Sequence, residues 1–139
     1  MRKWDVSLVL SRAIIAVLIT GIWVNASEFF RNEVLLKGHW TGHYSSLGMS
    51  FPSEPLNGMI WVVWGFIFAA TVYLITRKFS LLQAALISWV TGFVMMWLVI
   101  FNLGVLPSGI LVYAMPLSLL EAFVAAYICR RISAPNYPS

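Results

Sequence analysis

The chain has 139 residues, of which 60% are hydrophobic and 10% charged, with nine Lys/Arg against five Asp/Glu, and its mean hydropathy is +0.85. A soluble domain carries about 25% charged residues, and a single domain of this length cannot hide so much apolar surface from water, so the bilayer must be its solvent. The basic excess then reports topology rather than nucleic acid, and a lone cysteine, Cys129, excludes an internal disulfide or a cysteine metal site.

A spanning helix needs about 20 mostly apolar residues. The opening stretch, MRKWDVSLVLSRAIIAVLITGIWVNAS, has the basic start and apolar run of a secretory leader. Asp5 and Arg12 interrupt that run, so it reads as an uncleaved first span over about 5–27. Residues 28–56 follow as the one sizeable segment outside the membrane. SEFFRNEVLLKGHW interleaves charges with apolar residues at 29, 30, 34, 35 and 36, as an amphipathic helix does that either extends span one or lies along the headgroup surface, with a helix end at Lys37-Gly38 and loop beyond. The second span covers about 57–76, after the turn signals of FPSEPLNG, and the third about 80–102, after the short turn RKFS. The uncharged connector NLGVLPSG leads into the fourth, about 107–129.

Arg2, Lys3, Arg77, Lys78, Arg130 and Arg131 fall on one side of this arrangement, and only Arg31 and Lys37 on the other. Cytoplasmic loops carry the Lys/Arg excess. The expectation is a single membrane domain over 1–139, an all-α four-helix bundle of the inner (plasma) membrane, with both termini cytoplasmic. Small residues recur at helical spacing: Ala114, Ser118, Ala122 and Ala126 on span four, Ala84, Ser88 and Gly92 on span three, Gly65 and Ala69 on span two. Such stripes let helices approach closely in lipid, within one chain or between copies.

A carboxylate inside a span costs about 2.5 kcal/mol or more on insertion scales, so Glu121 needs a proton, a partner or a wet cavity. Nine residues separate it from Arg130, roughly 13 Å of helix, and eight separate Arg12 from Trp4, roughly 12 Å. The two depths match, which predicts that Arg12 and Glu121 meet inside the bundle, with Asp5 as an outer member or as a partner of Arg130. Such a pair is a static staple or a proton- or ion-handling site. A second polar group, Asn25, Glu28 and Asn32, shares one helical face at the far end of span one, with Asn102 at similar height. His39 and His43, four apart, form a weak metal candidate with Glu33, because Gly42 disfavours the helix that would align them. No catalytic motif is present, and no cofactor is indicated.

The pattern Glu28-x3-Asn32-x2-Leu35-Leu36, then Trp40 and a proline-containing loop, with Leu120-Glu121-Ala122 in the last span, resembles a group of small bacterial four-span membrane proteins of unknown function. Asn32 stands where that pattern has a His. The resemblance implies a four-helix inner-membrane bundle and no activity. Two function classes follow. One is a non-catalytic membrane module, an accessory subunit or homo-oligomer in the lipid bilayer or a larger membrane complex. The other is a small channel or proton-coupled carrier using Glu121 and Arg12, with Thr20, Gln83, Thr91 and Ser118 as the polar residues able to bridge its middle.

Overall fold

The computed structural model describes residues 3–133, with side chains from residue 6 onward. The described residues are helical throughout, joined by short connectors: α1 (Lys3–Phe29) with a π turn (Phe30–Leu35), α2 (Lys37–Ser46), α3 (Pro55–Thr76), α4 (Leu81–Trp89), a second π turn (Val90–Val94), α5 (Met95–Asn102) and α6 (Leu111–Ser133). Four rods are long and apolar enough to cross a bilayer: Val6–Leu35, Pro55–Thr76, Leu81–Asn102 and Leu111–Ser133. The chain thus has the build of a multi-pass membrane protein.

Local chemistry sets the helix ends. Pro55 opens α3 at the position where a missing N–H is harmless. Ser80 and Gln83 form a capping box at the start of α4, with Gln83 N 3.4 Å from Ser80 Oγ and Ser80 N 3.1 Å from Gln83 Oε1. Gln83 is therefore a cap and not a bridge through the bundle. Gly48 after α2 and Gly104 after α5 take φ of 71° and 73°, the left-handed conformation that ends helices with little strain when there is no Cβ.

Of the two placements expected for the segment after span one, the structure takes the helical extension: residues 28–35 lengthen the first rod by eight residues, and the bend comes at Leu36 (φ −112°, ψ 5°). The helix end expected at Lys37-Gly38 falls one residue earlier, at Leu36, but α2 starts there at once, and residues 41–46, expected as loop, are helical. Trp40 and Tyr44 of α2 pack on Phe51, with ring centroids 6.3 and 5.3 Å apart. That packing outweighs the helix cost of Gly38 and Gly42. α2 and its loop thus cap one end of the bundle, opposite the end where α1 begins and α6 ends.

α6 is the central helix, touching α1, α3 and α4, while α3 also packs on α1 and α4. Its small-residue stripe, Ala114, Ser118, Ala122 and Ala126, is wholly turned inward, as are Ala84, Ser88, Gly65 and Ala69. The stripes are used up within the chain. Large apolar residues such as Leu10, Ile22, Leu74, Leu98 and Val112 point outward. Lipid tails give no hydrophobic drive for helix association, so close van der Waals packing of small residues takes its place.

The tightest approaches are at glycines. A Cβ at Gly65 would lie 2.5 Å from the Asn25 side chain, and one at Gly92 would lie 2.4 Å from the Phe68 ring. Phe68 cannot swing away easily, because it stacks on Trp64 (5.2 Å, 7°) and meets Phe93 edge-on (5.3 Å, 73°). Gly92→Val is therefore expected to destabilise the bundle by about 1–3 kcal/mol through overpacking, read as a lowered unfolding midpoint in mild detergent. Gly38→Val, where a Cβ meets nothing within 4 Å, should leave the midpoint nearer to wild type.

Candidate functional site

The far turns of α1 and the middle of α6 build one buried polar cluster. Glu28 and Arg31 stand one turn apart on the helix, and Arg31 Nη2 donates to Glu28 Oε1. Arg31 Nη1 donates to Glu121 Oε2 at 2.8 Å, and Ser27 Oγ donates to the same oxygen at 2.9 Å. Asn32 Nδ2 donates to Glu28 Oε2 at 2.9 Å, and Trp40 Nε1 donates to Asn32 Oδ1 at 3.0 Å. The Arg31 guanidinium also lies over the Phe93 ring, 5.0 Å from its centroid. Glu121 is 0% exposed, Arg31 4% and Glu28 7%. One arginine thus binds a carboxylate on its own helix, a carboxylate on α6 and an aromatic face from the second π turn.

Three contacts fix how α1 lies against α6. Thr20 Oγ1 is 3.2 Å from Cys129 Sγ, Trp23 Nε1 donates to the Glu121 carbonyl at 3.2 Å, and Ser27 reaches the Glu121 carboxylate. Residue numbers rise on α1 as they fall on α6, so the helices are antiparallel. Ser27 shares the level of Glu121, and Arg12 lies fifteen residues away, roughly 22 Å along the axis. The expected Arg12–Glu121 pair does not form; Arg31 takes that place. α1 is not an ordinary span: with its π turn it runs on to Leu35, so a count from Trp4 does not give the depth of Arg12 relative to α6. Arg12 is half-buried, and the Asp5 side chain lies outside the described residues.

The expected outer polar group is divided. Glu28 and Asn32 belong to the cluster, whereas Asn25 turns toward α3, donating to Gly21 O at 2.9 Å and Val62 O at 3.4 Å. Asn102 is exposed at the end of α5 and does not join them. The metal candidates also separate. His39 packs against Tyr113 (5.9 Å), His43 Nε2 lies 3.1 Å from Gly104 O, and Glu33 pairs with Lys37 at 2.8 Å. Among the described residues no group of three or more His, Cys, Asp or Glu is placed to hold a metal ion.

Arg31 was the residue that sequence reasoning missed. A signal existed: between Gly21 and Gly38 the chain has no glycine or proline, so nothing local stops the helix at residue 27. No family model, curated protein or solved structure matches the chain.

Proposed function

We propose that this chain is a non-catalytic module of the inner membrane, an accessory subunit or homo-oligomer with both termini cytoplasmic, locked by an internal ion triad. The observation that carries the reading is Arg31 held between Glu28 and Glu121. The buried base is engaged by two acids of the same chain, as in a structural clamp between the first and last rods. Two apolar clefts, of about 230 and 200 Å³, fall below the 300–1,000 Å³ usual for small-molecule sites. Orientation follows the charge: once Arg31 is taken into the clamp, Lys37 alone remains of the basic residues at the α2 end.

The polar residues that a through-pathway needs are engaged elsewhere. Thr20 contacts Cys129, Thr91 donates to Ile87 O at 2.9 Å, and Ser118 accepts from Trp89 at 2.9 Å. Toward the termini from Glu121, α6 buries Ala122, Ala125 and Ala126. The test is reconstitution into proteoliposomes. The wild-type protein should give no proton or cation flux above empty vesicles, and Glu121→Gln should lower stability or assembly alone. A wild-type flux that Glu121→Gln abolishes while the protein stays assembled would replace the module with a carrier. Native mass measurement in mild detergent then counts the copies or reveals the partner.

A further inference from the structure

The cluster holds two carboxylates and one guanidinium. With both acids ionised it carries one negative charge that its own base does not balance, and such a charge is costly in an apolar interior. Among the described residues Arg31 is the one base that donates to Glu28 or Glu121. The bases of α2 turn elsewhere: Lys37 pairs with Glu33, His39 packs on Tyr113 and His43 lies 3.1 Å from Gly104 O. Arg12 of α1 lies roughly 22 Å along the axis. α1 faces Glu121 with Ser27 and Arg31, and with Glu28 beyond Arg31. α3 has one titratable residue, Tyr73, and α4 has none. On α6 itself the others are Tyr113, Tyr127, Cys129, Arg130 and Arg131, at least six residues away along the helix, with Cys129 turned to Thr20.

The second observation concerns the two oxygens of Glu121. Oε2 accepts from both Arg31 and Ser27, whereas Oε1, equally buried, has no hydrogen-bond partner among the described residues. An ionised carboxylate would leave a charged acceptor bare in the interior. A proton on Oε1 removes that charge and keeps Oε2 as the acceptor for both donors.

We propose that the Glu28–Arg31–Glu121 cluster is a single-proton binding site, entered from the end of the bundle capped by α2. The polar groups run from Glu121 through Arg31, Glu28 and Asn32 to Trp40 of α2. The opposite direction is closed by the buried alanines of α6 and the Thr20–Cys129 contact. The proton therefore enters and leaves by the same end, which is binding and not conduction. In the step, hydronium gives its proton to Glu121 Oε1 and becomes water, and the cluster goes from one net negative charge to none.

This inference rests on the clamp described above, and its test reads the carboxyl directly, so that flux measurements do not decide it. The full chain in lipid nanodiscs is stepped through pH and followed by infrared difference spectroscopy. One protonated-carboxyl C=O band should grow on acidification and shift in D₂O. It should be lost in Glu121→Gln, and lost over the same range in Glu28→Gln, where one acid faces one base. It should persist in Glu33→Gln, whose side chain is outside the cluster. Absence of a titrating band in the wild type, or its persistence unchanged in Glu121→Gln, overturns the proposal. If Glu121→Gln does not fold, an unchanged band in Glu28→Gln overturns it equally. A band that responds to sodium at fixed pH assigns the site to a metal cation and also overturns it.

Discussion

Arg31→Met is expected to destabilise the bundle by about 3–5 kcal/mol, the cost of breaking a buried ion pair from one side. The loss arises less from the missing attraction than from what remains. Glu121 and Glu28 keep their burial but lose their shared donor, and Ser27 and Asn32 are left as their remaining side-chain donors. The Phe93 ring loses its cation as well. Thermal or denaturant unfolding in mild detergent measures the effect. Lys37→Met provides the contrast, since the Lys37–Glu33 pair lies on the helix exterior with Lys37 half-exposed, and such pairs contribute about 0–1 kcal/mol. Arg31→Lys should fall between the two. An ammonium keeps the charge but lacks the planar fork that reaches Glu28 with one nitrogen and Glu121 with the other. A stability for Arg31→Met equal to that of Lys37→Met would show that the triad does not hold the rods together.

How much of this was legible in the residues depends on whether the cause was local. The second and third rods could be placed within a few residues, because Pro55 and the Ser80–Gln83 box lie next to the hydropathy steps they produce. The small-residue stripes named the packing faces of α3, α4 and α6 for the same reason. The far end of the first rod was not legible in this way. A charged turn at the tip of an apolar helix reads the same whether water or a partner helix receives it. The acceptor on the partner helix that draws Arg31 inward, Glu121, is ninety residues away in the chain. Equal counts from Trp4 and Arg130 match depths only when the two helices have similar length, and the first rod is longer than α6. The π turns at Phe30–Leu35 and Val90–Val94 have no sequence period of their own. One carries Arg31 and the other carries Phe93, so both bear groups of the cluster while neither has a local signature.

Replacing the whole triad should undo what removing its arginine does. In Glu28→Leu/Arg31→Met/Glu121→Leu no charge remains to be solvated, and the space is refilled by side chains of similar volume. Buried ion pairs exchanged for apolar residues in this way are commonly neutral or more stable by about 1–4 kcal/mol. The triple variant is therefore expected to recover most of the loss of Arg31→Met. The recovery will be incomplete by the hydrogen bonds that Ser27 and Asn32 lose, each of order 1 kcal/mol. The same variant separates architecture from activity. If the clamp only joins the first and last rods, the triple variant should assemble with the native mass and support whatever partner the wild type binds. If the proton on Glu121 is used, it should assemble normally, lack the titrating carboxyl band and fail in the cell. Failure of the triple variant to regain stability over Arg31→Met would mean that the three side chains are held for their geometry as well as their charge, since α1 and α6 then could not pack without the span of the arginine between them.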